Sequence, residues 1–276
     1  MTGPPRGRPP RANQPGLFQA HRLNTALSPS DLLAMLEPEG AFLTLPILKR
    51  TFPNGIPKLE SKRRALIRER LTHFLDGEGD ATARRTAWLR FLLQHRDVLD
   101  WGNELREDQQ VPATYSVNVP EHRLTLRPNA ILGDATDTQR ARVLVFFHEP
   151  GTVFERRMTQ DAARGAWAAS PLDQAERACR ETDVPLAILT DGELMTLLWA
   201  PKGEASGSGT FVTSLVAEEP GLLDGFVALL EARRFFASGA DGTLDALFRQ
   251  SADAQAEVTT TLEVRPKRCW RGHLHR

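Results

Sequence analysis

The hydrophobic period of this chain changes near residue 111, and that change limits its fold more than any other feature. Before it, apolar residues recur every three or four positions. After it come short unbroken apolar runs, Val143-Leu144-Val145-Phe146-Phe147 and Leu186-Ala187-Ile188-Leu189. A half-exposed strand alternates apolar and polar residues, whereas an unbroken β-branched run marks a strand covered on both faces. Helical periodicity returns after Pro220. The sequence therefore predicts an α/β (α+β) chain with a helical N-terminal region, a central mixed sheet and C-terminal helices.

The expected divisions are a basic arm over 1–15, a helical region over 16–110, an α/β domain over 111–218, a helical connector over 219–262 and an irregular basic tail over 263–276. The arm holds Arg6, Arg8 and Arg11 among five prolines. It has too little apolar surface to repay ordering, so disorder is expected. The tail drops the helical period and gathers basic residues around Cys269, Trp270, His273 and His275. That break fits a solvated tail and equally a truncated or frame-shifted chain.

Within the helical region, Ser28-Pro29-Ser30-Asp31 signals the start of a short helix that Pro38 closes. A helix over about 58–76 carries Leu59, Leu66, Ile67, Leu71, Phe74 and Leu75 on one side, and one over about 81–96 carries Trp88, Phe91 and Leu92. Lys62, Arg63, Arg64, Arg68, Arg84 and Arg85 on these two helices form a candidate phosphate-facing patch. A solvated face partly neutralised by Glu60, Glu69, Glu78 and Asp80 is the other reading.

Beyond 111 the expected strands are Tyr115–Val119, Arg123–Leu132, Arg142–Phe147, Pro185–Thr190, Leu194–Ala200 and Thr210–Val216, with a helix over about 171–181. Asp191-Gly192 is read as a two-residue hairpin turn in which both residues adopt positive φ, and Gly203–Gly209 as a flexible turn. Trp199 and Trp167 are read as packing residues. After Pro220 an apolar stripe runs through Leu222, Leu223, Phe226, Leu229, Leu230 and Phe235, and Asp241 is expected to cap a helix carrying Leu244, Leu247 and Phe248.

Lys plus Arg and Asp plus Glu both total 35, so no global field drives binding to anionic partners, and any electrostatic site must be local. There is no apolar run of about 18 residues and no apolar segment behind the basic N-terminus, which points to a cytoplasmic protein without a membrane partner. Cys179 and Cys269 have no zinc-ligand spacing. Gly203–Thr210 lacks the Lys of a phosphate-binding loop, and neither a nucleophile elbow nor a zinc-protease motif occurs.

From Thr125 to Leu262 the chain resembles the N-terminal region of bacterial adenine-specific DNA methyltransferases of the type IIG restriction–modification kind, including those of the DISARM phage-defence system. The resemblance rests on the order and spacing of Leu126-Arg127-Pro128-Asn129-Ala130-Ile131-Leu132, Ser170-Pro171 with Glu176, Arg177 and Arg180, Leu189-Thr190-Asp191-Gly192-Glu193 with Trp199, Arg233-Arg234-Phe235-Phe236, and Glu257-Val258-Thr259. It implies a PD-(D/E)xK nuclease-like sheet, helices leading into a methyltransferase domain, and duplex DNA, the methyltransferase domain or other defence-system subunits as partners. S-adenosylmethionine is the cofactor of the parent family, with none expected in this chain.

Nuclease chemistry requires an Asp at one strand end and Glu-x-Lys on the neighbouring strand, so that two carboxylates hold Mg²⁺. Here the first position is the neutral Asn129, and Val143-Leu144-Val145 is apolar. Asp134 and Glu149 are the alternative ligands for an active, Mg²⁺-dependent endonuclease. Adenine methylation needs an Asn/Asp-Pro-Pro-Tyr/Phe loop; the only Pro-Pro pairs are Pro4-Pro5 and Pro9-Pro10. The expected function is an inactive DNA-engaging or architectural module. The alternatives are that nuclease, or a protein-interaction module presenting Leu222–Phe248.

Overall fold

The Arg142–Phe147 run lies at the centre of a seven-stranded mixed sheet. The computed structural model describes residues 26–134, 140–159, 167–236 and 242–263; the basic arm, Asp241 and the tail beyond Glu263 lie outside the described residues. In chain order the strands are β1 (Glu39–Gly40), β2 (Leu105–Glu107), β3 (Val117–Val119), β4 (Leu124–Leu126), β5 (Ala130–Gly133), β6 (Ala141–Phe147), β7 (Met158–Thr159), β8 (Ala168–Ala169), β9 (Leu186–Thr190), β10 (Leu194–Trp199) and β11 (Gly207–Val212). The large sheet runs β1-β11-β10-β9-β6-β5-β2, while β3–β4 and β7–β8 are separate hairpins. Among the described residues only β6 and β9 are parallel, with Leu144 opposite Ala187 and Phe147 opposite Thr190. The helix α5 (Pro171–Thr182) makes the crossover between them, as a parallel pair requires.

The unbroken apolar runs follow from burial of both sheet faces. Val143, Val145, Leu186, Ile188, Leu197 and Trp199 belong to one apolar cluster, while Leu144, Ala187, Leu189 and Leu198 belong to a second on the opposite face. The first face is covered by α1 (Pro29–Leu36), α2 (Leu45–Thr51), α3 (Ser61–Asp76), α4 (Ala81–Gln94), α7 (Pro220–Leu230), α8 (Arg233–Phe236) and the start of α9 (Leu244–Glu263). The second packs against α5 and the β3–β4 hairpin. The larger cluster draws on residues from Leu32 to Phe248, across the expected divisions at 110 and 218. Both sheet edges, β1 and β2, come from the segment expected to be helical.

Local signals explain the ends of elements. Ser28 Oγ accepts from Asp31 N at the start of α1, and Ser170 and Asp173 form a reciprocal capping box on α5. Trp199 is wholly buried and stacks on Phe248 at 5.5 Å, and the half-buried Trp167 stacks on His122 at 5.2 Å.

Several expected elements shift. Tyr115 closes a 3-10 turn instead of opening a strand, and its hydroxyl accepts from Ala141 N at 2.7 Å. Arg123–Leu132 splits into β4 and β5, which belong to different sheets. Thr210–Val216 is corrected to a strand that begins at Gly207 and a short helix, α6 (Thr213–Glu218). A Cβ on Gly207 would lie 2.2 Å from Ala41 O, and one on Gly209 would lie 2.7 Å from the Phe42 ring, so these glycines admit the β1 segment against the sheet. The turn after β9 spans three residues, and only Gly192 has positive φ, at 94°. Asp191 instead shapes the turn with its side chain, Oδ1 accepting from Glu193 N and Leu194 N.

Candidate nucleic-acid interface

The helices α3 and α4 pair through Ile67, Leu71, Phe74, Trp88 and Leu92, with Phe74 stacked on Trp88 at 5.8 Å. Each helix therefore spends one stripe on the core, and its arginines must leave along the flanks. Three of the six expected phosphate contacts turn back into the protein. Arg63 donates to Asp97 O at 2.5 Å and Val98 O at 2.8 Å. Arg64 reaches both carboxylate oxygens of Asp224 at 2.8 Å, and Arg85 donates to His148 O at 2.6 Å. This corrects the expectation that all six form one exposed patch, because acceptors within the protein hold those guanidiniums.

Lys62 is exposed. Arg68 and Arg84 are half-buried, each with a buried Nε that has no hydrogen-bond acceptor, and among the described residues neither forms an ion pair. Arg84 packs beside Gly77 at the far end of α3 from Lys62. At 1.5 Å per residue these cations are distributed along roughly 22 Å of helix. Arg70, lying over the Phe91 ring at 5.7 Å, and Arg90 are exposed on the same pair of helices.

The expected nuclease residues separate. Asn129 precedes β5, and its Oδ1 accepts from Phe147 N at 2.8 Å, so its amide serves the sheet. Asp134 N donates to Arg140 O, which places it at the opposite end of β6 and within 3.5 Å of Arg142. Glu149 follows the carboxyl end of β6 and its side chain is 90% exposed. At strand rise, Asp134 and Glu149 lie roughly 20 Å apart, whereas ligands of one Mg²⁺ each approach to about 2.1 Å. Asp134 and Glu149 cannot share an ion, and the Asp134–Glu149 nuclease is corrected on that ground.

At the carboxyl ends of β6 and β9, His148 and Asp191 face one another. Asp191 is buried with its carboxylate held by three backbone N–H groups, those of Gly151, Glu193 and Leu194. Burial lowers the pKa of His148, with the Asp191 charge opposing it. Its Nε2 is buried with no hydrogen-bond partner and its ring lies 5.3 Å from Phe154. Cys179 is buried, which drives its thiol pKa far up and leaves it unreactive.

Between α3, α7 and the linker ahead of α3 lies a cleft of about 560 Å³. Leu59, Leu66, Val227 and Ala228 form its apolar lining, and Lys62, Arg63, Glu231 and Arg233 its polar one. Asp224, 4% exposed, braces the wall by accepting from Leu59 N and Arg64. Glu231 sits between two guanidiniums, 3.5 Å from Arg63 and in direct contact with Arg233 Nε. Sequence reasoning missed Asp224, Glu231 and Arg233 as site residues. One signal was present, since Asp224 is the only charged residue of Pro220–Leu230 and a buried carboxylate requires a partner.

The face expected to bind another protein is not a surface. Leu222, Leu223, Phe226, Leu229, Leu230, Phe235, Leu244, Leu247 and Phe248 are all at most 4% exposed within the core. No family model, curated protein or solved structure matches this chain. No helix among the described residues is long and apolar enough to cross a membrane.

Proposed function

We propose that this chain is a DNA-engaging, non-cleaving module of the kind that precedes the catalytic domain of bacterial adenine-specific DNA methyltransferases in restriction–modification and phage-defence systems, acting in the cytoplasm beside that domain or other defence subunits. The observation that carries this reading is the pairing of β5 with β6. An acid-bearing strand end and its Glu-x-Lys neighbour would have to lie side by side in this way, yet here the first position is Asn129 and the second strand is the buried Val143-Leu144-Val145. Neutral and apolar residues leave a hard divalent cation no carboxylate ligand at that point, and the Asn129 Oδ1 already accepts from Phe147 N.

DNA contact is assigned to Lys62, Arg68 and Arg84, the members of the expected set not committed to internal acceptors. Such contacts would position the protein on phosphates without reading sequence. The test incubates the protein with supercoiled plasmid and Mg²⁺ and follows both gel retardation and nicking. Retardation without nicking is expected. Nicking that disappears in Glu149→Ala would overturn the reading.

A further inference from the structure

We infer that the cleft between α3 and α7 is a binding site for a nucleotide unit, with Glu231 occupying the anion position until the phosphate arrives. This rests on and deepens the reading of the chain as a nucleic-acid module; the cleft shares Lys62 with the phosphate contacts assigned along α3 and α4, but the Arg63–Glu231–Arg233 cluster that carries the inference is not among those contacts.

Three features of the cleft point to a phosphate group on an apolar body. Its 560 Å³ falls in the range of small-molecule sites and exceeds what an isolated inorganic anion needs. The Leu59, Leu66, Val227 and Ala228 surface gives a base or sugar an apolar wall. Arg63 and Arg233 converge on a single carboxylate, so two guanidiniums face one negative charge, with the exposed Lys62 beside them.

The other acids of the cleft do not cancel this excess. Asp224 is neutralised by Arg64, Asp97 lies 3.9 Å from Arg96, and Glu60 is exposed. The Glu231 side chain is 13% exposed and that of Arg233 is 66% exposed, so the arginine is the solvent-facing member of the pair and the carboxylate the inner one. Arg63 is different, because its bonds to Asp97 O and Val98 O hold it pre-oriented. A terminal phosphate, with its higher charge and three acceptor oxygens, would compete with Glu231 for Arg233 and for the Arg63 donor capacity left over from Asp97 O and Val98 O. The carboxylate therefore works as an internal competitor that keeps the site selective for multiply charged oxyanions.

The test measures binding to the full chain by calorimetry, using adenosine 5′-monophosphate, inorganic phosphate and a 5′-phosphorylated eight-nucleotide single-stranded oligodeoxynucleotide as probes. Glu231→Gln should tighten the nucleotide by about tenfold by removing the competing charge. Arg233→Gln should weaken it by a similar factor, and thermal unfolding should show both variants folded. A monophosphate that binds as tightly as the oligonucleotide, per site, points to a free nucleotide. A large preference for the oligonucleotide points to the phosphorylated end of a strand, and both results support the site. Unchanged or weaker binding in folded Glu231→Gln overturns the inference, as does equal affinity for inorganic phosphate. Duplex retardation without any Glu231 effect would sink this site and leave the DNA reading standing; nucleotide binding without duplex retardation would do the reverse.

Discussion

Asp224 shows how a single residue can organise a surface from within. It is 4% exposed and takes hydrogen bonds from Arg64 and Leu59 N, joining α3, the linker before it and α7. Removing one member of such a pair strands a buried charge, so Asp224→Ala should cost about 3 kcal/mol in urea unfolding; a cost below about 1 kcal/mol would mean that the pair is solvated. His148 gives a second residue-scale prediction. Its pKa is lowered from 6.5, chiefly by burial, so the unfolded chain binds the proton more readily. The associated stability is present above the unfolded value and is lost as pH falls from about 6.5 toward the lower folded value. Unfolding midpoints should decline across that window, and His148→Leu should flatten the decline. An unchanged slope would show that another group is responsible. The lone carboxylate of α7 was visible in the sequence, but its partner was not, because nothing local links position 224 to position 64.

At the scale of elements, the runs 142–147 and 185–190, the start of α1 at Ser28 and the helices α3 and α4 were legible because each is set by local period or capping chemistry. The segment around Gly207 was not. Its glycines resemble a loop, yet they sit in β11 because Ala41 and Phe42 press against them. A long-range contact, absent from any local pattern, decided that assignment. Gly209→Ala improves strand propensity but puts a Cβ 2.7 Å from the Phe42 ring. Overpacking should dominate, lowering stability by about 1–3 kcal/mol in thermal or denaturant unfolding; a stabilised variant would show that Phe42 yields freely. Ser170→Ala, which removes half of a reciprocal capping box, should cost about 1 kcal/mol by the same assay. The apolar stripe of Leu222–Phe248 was also legible, but its burial was not, since an apolar stripe suits a core as well as an interface.

Across the whole molecule, a sheet with short edge strands from distant parts of the chain supports a helical layer from which cations emerge at intervals. The sequence indicated the cations of α3 and α4 but could not separate the tied guanidiniums of Arg63, Arg64 and Arg85 from Lys62, Arg68 and Arg84, because the acceptors lie on other elements. The most direct test is fluorescence anisotropy of a labelled duplex titrated at a series of salt concentrations, comparing the native chain with Lys62→Gln/Arg68→Gln/Arg84→Gln after circular dichroism has shown the variant folded. Log affinity should fall linearly with log salt at a slope of about −0.9 per phosphate contacted, and the variant should lose roughly 2–3 units of that slope. No duplex binding at low salt, or an identical slope in the folded variant, would contradict the account.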